Sequence, residues 1–300
     1  MPRPALPPEL APLLERSPSE TTPLLLALAR AHAARRRPAD LLRQMERDGF
    51  VAPSALDQRL LHRLDGLALA QALEYEAIQL SPVAPLGQCA AVAPTSQDRT
   101  LSAQRGTEVV SDPTNTLALL AAQRLTSAPA REVRLCTVHQ VLRAQALPPV
   151  PGFSRNFRLF AMITAGPARA DEGLEVDAIL DHVARQGAIL DAAADLGFPV
   201  SARRITIVAD ERRRALHHRL RERLAESAPR ITIDDAPLTT TYYDGLHVTH
   251  WATAADGHAL PIGDVGVFDW MARLTSNRRM RLVASGFGLQ LLPLRFARSG

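Results

Sequence analysis

The chain has 300 residues, an apolar fraction of 46 % and a formal net charge of +4. That length gives room for one large domain or two small ones, and the apolar fraction is ordinary for a globular protein. No apolar run reaches membrane-spanning length, no basic-then-apolar leader is present, and Cys89 and Cys136 are too few for a disulfide framework. A soluble, cytoplasmic protein with no membrane partner is expected. All 35 basic residues are arginine, and their excess over acidic residues is small, so nucleic-acid binding is not demanded. The clusters Arg35-Arg36-Arg37 and Arg212-Arg213-Arg214 fall in helical patterns and read as solvated faces.

Residues 1–57 read as a helical, proline-punctuated extension, and residues 58–300 as the main domain. Leu24, Leu25, Leu26, Leu28 and Ala29 cluster as in a helix, and Pro38 opens a shorter one holding Leu41, Leu42 and Met45, which stops at Gly49. Ser54, with Asp57 three residues on, reads as the cap of a third helix through Leu60, Leu61, Leu64, Leu67 and Leu73. The period then changes. Short strands are expected over 77–83, 90–92 and 107–110, then a helix over 114–124. Residues 133–143 and 157–164 read as a hairpin joined by the long loop 146-ALPPVPGFSRN-156. A long helix over 174–196, a strand over 205–209, a helix over 211–226, and strands over 242–252 and 265–270 follow. Near the end, 285-SGFGLQLL-292 places two glycines one residue apart before an apolar run, where a backbone can approach a ligand closely or simply turn into a core helix. Strands far outnumber parallel crossover units, which predicts an α+β fold with a mixed, mainly antiparallel sheet.

The order of short motifs resembles the catalytic domain of class II aminoacyl-tRNA synthetases, specifically the histidyl-tRNA synthetase branch, which includes the regulatory subunit of ATP phosphoribosyltransferase. The stretch 75-YEAIQLSPV-83, with Pro82, resembles the first motif, which implies a homodimer interface. The stretch 110-VSDPTN-115 resembles the segment whose carboxylate holds the substrate α-amino group, which implies that role for Asp112 and Thr114. In 141-VLRAQ-145, Arg143 matches the second-motif arginine that clamps the ATP α-phosphate, and Gln145 stands where the family has glutamate. The tyrosine pair Tyr242-Tyr243 in 241-TYYDGL-246 resembles the segment beside the amino-acid pocket, and 263-GDVGVFD-269, with Asp264, resembles a glycine-rich turn of that pocket. Gly286 and Gly288 in 286-GFGLQLL-292 match the third motif.

Several positions depart from that pattern. The third motif should end in glutamate and an arginine for the ATP γ-phosphate, but Gln290 and Leu291 stand there. A catalytic arginine before the tyrosine pair falls near Leu238, and the imidazole-reading residues fall near Met162 and Gly166. Arg278, Arg279 and Arg281 lie just upstream of the third motif. Arg279 is the candidate to reach back to a nucleotide, against the alternative of a solvated turn. No anticodon-binding domain is expected after the third motif.

Two functions are therefore expected to compete. One is a binding protein that does not charge tRNA, a homodimer holding a small amino-acid-like ligand in a regulatory or accessory role, with a partner enzyme open. The other is a stand-alone ligase that activates a small carboxylate with ATP for a non-tRNA acceptor. ATP stays open as a cofactor, and the resemblance implies no catalytic residue by itself. No metal is expected: Cys136 and His139, and likewise His247 and His250, are three apart on expected strands and so face opposite ways. By the same alternation only one of Tyr242 and Tyr243 is expected to face a pocket. Asp264 and Asp269 are open between ligand contact and turn stabilisation.

Overall fold

The computed structural model describes residues 7–93, 95–146, 153–228 and 231–297. The chain opens with helices α1 (Ala11–Leu14), α2 (Pro18–Ala34) and α3 (Pro38–Arg47). Both longer helices begin with proline at the position whose N–H needs no partner. The Ser17 N–H donates to Glu20 at 2.8 Å to complete a capping box on α2. None of the three helices buries a residue fully. This extension meets the main body through its last turn, where Asn156 donates to the carbonyls of Gly49 and Ala52 at 3.2 and 3.1 Å. The Arg155 guanidinium lies 4.7 Å from the Phe50 ring centre.

The main body contains, in order, α4 (Gln58–Ala70), β1 (Glu76–Ala77), β2 (Val83–Pro85), α5 (Gln88–Ala91), β3 (Ser102–Ala103), β4 (Thr107–Val109) and α6 (Pro113–Ser127). Then come β5 (Val133–Leu142), β6 (Asn156–Pro167), α7 (Gly173–Asp195), β7 (Ala202–Ala209), α8 (Arg214–Ser227) and β8 (Thr232–Pro237). The last elements are β9 (Leu246–Thr253), β10 (Ala259–Phe268), α9 (Trp270–Leu274), β11 (Met280–Phe287) and α10 (Leu291–Arg295). Eight strands form one sheet in the order β1-β5-β6-β11-β10-β9-β7-β8, and β2-β4-β3 form a small second sheet. The inner pairings are antiparallel, while each edge strand runs parallel to its neighbour. This is the expected α+β fold with a mixed, mainly antiparallel sheet. No helix among the described residues is long and apolar enough to cross a membrane.

Strand alternation divides the core between two faces. On the back, Phe160 and Met162 of β6 and Phe287 of β11 pack with Leu64 of α4 and Ile189 and Leu190 of α7. Val265 and Val267 of β10 pack with α7 and α8 on the same side. On the front, Ala161 and Ile163 of β6 and Leu282 and Ala284 of β11 pack with Leu117, Ala118 and Ala121 of α6. The front is covered over only part of its width. Over the rest, small side chains on β11 leave open space.

Several local expectations differ from the structure. Residues 90–92 lie in and after α5 rather than in a strand, because the buried Glu108 carboxylate accepts the Gly87 and Cys89 N–H groups at 2.8 Å each and starts a helical turn. Asp57, not Ser54, caps α4, accepting the Arg59 N–H at 2.6 Å. Tyr242 and Tyr243 lie in a bend before β9 rather than on it. The strand expected over 265–270 is β10, which begins at Ala259 and ends before Trp270. The strands β3, β8 and β11 lie outside the expected strands, although β11 is central to the large sheet. In the loop expected between β5 and β6, residues 147–152 lie outside the described residues.

Candidate ligand-binding site

A cavity of about 550 Å³ opens on the uncovered part of the front face. Its floor follows from strand alternation. Ala284 and Gly286 of β11, Asp264 and Phe268 of β10, and His247, Thr249 and Trp251 of β9 all line it. The β5–β6 loop adds Phe153, the start of β6 adds Phe157 and Arg158, and the start of α6 adds Asp112 and Thr114.

Asp112 is the N-cap of α6. Its Oδ1 accepts the Thr114 N–H at 3.0 Å and the Thr114 hydroxyl at 2.7 Å, so capping consumes one carboxylate oxygen. Oδ2 accepts from the Tyr242 hydroxyl at 3.2 Å and lies 3.8 Å from Arg143 Nη2. Arg143 follows β5 directly. Its Nε donates to the Ser111 carbonyl at 2.8 Å and its guanidinium lies 5.2 Å from the centre of the Phe157 ring. A negative and a positive group thus stand side by side on the wall.

The tyrosine bend brings both rings to the cavity, contrary to the expectation that only one would face it. The rings meet edge to face at 4.9 Å, and Tyr243 stacks on His247 at 4.0 Å, nearly parallel at 8°. Burial pushes both phenol pKa values well up, so each hydroxyl stays protonated and donates to a carboxylate. Burial lowers the His247 pKa and so favours the neutral ring, against the opposing pull of the Asp264 carboxylate. The bend is tied from behind by Arg213, whose Nη2 meets Asp244 Oδ2 at 2.7 Å and whose Nε donates to the Asp244 carbonyl at 3.1 Å. Gly245 turns the chain there at φ +79°, a region that favours glycine. Under the Tyr243 ring sits Gly266, where an added Cβ would lie 2.3 Å from Tyr243 Cδ1.

Asp264 is held by neutral donors. Its Oδ1 accepts the Gly286 N–H at 2.9 Å and its Oδ2 accepts the Tyr243 hydroxyl at 3.2 Å. From the back of the sheet, Gln186 of α7 donates to the carbonyls of Asp264 and Gly286 at 3.0 and 3.3 Å and locks β10 to β11. Asp264 therefore both stabilises the local backbone and faces the cavity.

The third-motif stretch is split between strand and turn. Gly286 ends the floor on β11, Gly288 donates its N–H to the Ile262 carbonyl at 2.8 Å, and Leu291 puts an apolar side chain on the cavity wall. The Gln290 Oε1 accepts the Arg158 N–H at 3.2 Å. Gln145 lines the cavity, with its side chain accepting from Arg99 at 2.9 Å. Arg158 is engaged by the buried Asp65 carboxylate, with Nε 3.1 Å from Oδ1.

Asp112, Thr114, Arg143, Gln145, Tyr242, Tyr243, Asp264, Gly286 and Gly288 thus surround one cavity. Arg279 does not. It precedes β11, seven residues from Gly286, roughly 23 Å along an extended strand. Arg281 is turned to the back, 3.1 Å from the buried Glu175 carboxylate. His247, Thr249, Trp251, Phe157 and Arg158 line the cavity beyond the residues expected from the sequence. For the first three the signal was present: they alternate on β9, with the fully buried His250 between Thr249 and Trp251 facing the other way.

No protein-family model matches the chain, and no curated protein matches it. Solved structures do. An ATP phosphoribosyltransferase regulatory subunit/histidyl-tRNA synthetase from Bacillus halodurans aligns at 14 % identity and TM-score 0.60, covering 81 % of both chains. A histidine–tRNA ligase subunit from Alicyclobacillus acidocaldarius aligns at 13 % identity and TM-score 0.59, over 82 % of this chain and 95 % of that one. The apo histidyl-tRNA synthetase of S. aureus aligns at 11 % identity and TM-score 0.60, over 82 % of this chain and 68 % of that one. The chain has the class II synthetase-like fold that these structures share.

Proposed function

We propose that this chain is a class II synthetase-like paralogue that binds a small amino-acid-like ligand and does not charge tRNA, in a regulatory or accessory biosynthetic role. The observation that carries the reading is the charge inventory of the cavity. Its lining includes two arginines, Arg143 and Arg158, and each already faces a carboxylate, Asp112 and Asp65. Asp264 adds a further negative charge, and Leu291 occupies the wall where the resemblance would put a γ-phosphate ligand. A triphosphate entering such a cavity leaves water without enough cations to receive it. Each missing charged hydrogen bond forfeits roughly 1.5–3 kcal/mol.

An amino-acid backbone suits the same wall. Its α-ammonium group meets Asp112 Oδ2, its carboxylate meets Arg143, and Thr114 and Tyr242 hold Asp112 in place. The ion pair at 3.8 Å is long enough that ligand charges replace it rather than compete with a tight contact. The regulatory subunit among the structural matches supports a partner enzyme. The first-motif resemblance around residues 64–83 supports a homodimer, with residues 1–57 a helical extension outside it. A second reading keeps Arg143 as an α-phosphate clamp and makes the protein an ATP-dependent ligase, with Gln145, Gly286 and Gly288 around the nucleotide. ATP–pyrophosphate exchange across a panel of amino acids separates the two. The binding reading expects no amino-acid-dependent exchange; brisk exchange with any carboxylate overturns it in favour of the ligase.

A further inference from the structure

Two tyrosine–aspartate couples stand side by side in the cavity, Tyr242 with Asp112 and Tyr243 with Asp264. They differ in one respect. Asp112 has the Arg143 guanidinium beside it, whereas the hydrogen bonds to Asp264 come from a backbone N–H and a phenol, both neutral. Among the described residues no arginine or histidine forms an ion pair with Asp264. The one imidazole close to it, His247, is held toward its neutral form by burial. Asp264 is a half-buried carboxylate without a counter-charge, on the floor of a cavity walled by Tyr243, His247, Phe268 and Trp251. A carboxylate held this way is costly to desolvate unless a cation arrives.

We infer that the cavity selects amino acids that carry a second positive charge on the side chain, with Asp264 as the specificity-determining residue. The inference rests on the proposed amino-acid-binding function: Asp112 and Arg143 take the α-ammonium and α-carboxylate groups, and Asp264 takes a side-chain ammonium or guanidinium. Tyr243 orients the Asp264 carboxylate by donating to Oδ2, and the Gly286 N–H fixes Oδ1. A ligand with an uncharged side chain would leave that carboxylate facing an apolar group, which disfavours it.

The test uses pairs of ligands that match in shape and differ in charge. Binding of L-lysine is compared with L-norleucine, L-ornithine with L-norvaline, and L-arginine with L-citrulline, by titration calorimetry at neutral pH on the full chain. The charged member of at least one pair should bind about tenfold to a hundredfold more tightly, the range expected for one charged hydrogen bond. Asp264→Asn keeps an acceptor for the Gly286 N–H and should erase that difference. Equal binding within every pair, or a preference that survives Asp264→Asn, overturns the inference while leaving the amino-acid reading intact. Absence of binding by all six ligands overturns the inference, and absence of binding by every common amino acid overturns the amino-acid reading itself.

Discussion

Gly266→Ala puts one methyl group under the Tyr243 ring. The new Cβ would sit 2.3 Å from Cδ1 and 2.6 Å from Cε1 of Tyr243. The ring has little freedom to withdraw, because His247 stacks on it at 4.0 Å and Arg213 ties the bend that carries it. Over-packing of this kind costs about 1–3 kcal/mol. Displacing the ring also loosens the hydrogen bond to Asp264, a bond to a charged group, and the stack with His247. A loss of about 2–4 kcal/mol in folding stability follows from these contributions together. Urea unfolding followed by circular dichroism measures it. Gly66→Ala on α4 is the control: nothing lies within 4 Å of its added Cβ, so it should be neutral or stabilise by up to about 1 kcal/mol. If Gly266→Ala unfolds at the wild-type urea concentration, the close approach of Tyr243 is wrong, and with it the geometry of the cavity floor.

Leu291→Arg should strengthen ATP binding, read as added thermal stabilisation by ATP relative to wild type; no change would mean that the loss of that charge is not what limits the nucleotide. Arg213→Ala removes the tie on Asp244 and should weaken amino-acid binding by about tenfold with the far-ultraviolet spectrum unchanged, since one to two charged hydrogen bonds hold the bend; unchanged affinity would show that the bend holds itself. His182 and His250 are buried, and burial pulls their pKa values from 6.5 to about 3 and about 4. With the folded values depressed, the unfolded chain takes up the protons first, so stability is full above pH 6.5 and is lost as pH falls toward 3–4. From pH 6.5 to 5 each of these two should cost roughly 1.5 kcal/mol, measured by urea unfolding, and His250→Leu should flatten the slope by less than half, because burial lowers the pKa values of His139 and His247 as well. Light scattering at micromolar concentration should report a dimer; a monomer would count against pairing through residues 64–83.

Most of the element order was legible in the sequence because strand and helix periods are local signals. The hairpin β5–β6 and the helix α7 stand out by pattern alone. The central strand β11 did not, because its sequence 280-MRLVASGF-287 mixes an arginine, small residues and glycine. Those small residues are there for the cavity, not for strand propensity: Ala284 and Gly286 leave the floor low. The tyrosine bend misled for a similar reason. Two aromatic residues before a β-branched run look like a strand start, but Asp244, Gly245 and the distant Arg213 bend the chain and deliver both rings to one side. Asp112, Thr114 and Arg143 were found as candidates through motif order, since only tertiary folding brings residues from α6, β5 and the bend together. The short arginine run before β11 looked equally suited to a nucleotide, yet the strand carries Arg279 to the opposite end of the sheet, and Arg281 is drawn to Glu175.

The proposed function requires that the cavity hold an amino-acid-like ligand on Asp112 and Arg143 without ATP. Titration of the wild-type chain and of Asp112→Asn with a panel of amino acids, in the absence of nucleotide, tests it most directly. At one hundred times its dissociation constant a true ligand stabilises the fold by about 2.7 kcal/mol, so thermal unfolding reads the same event. At least one amino acid should bind wild type without ATP and bind Asp112→Asn at least about tenfold more weakly. Binding that appears only with ATP present, or that is unaffected by Asp112→Asn, would contradict it.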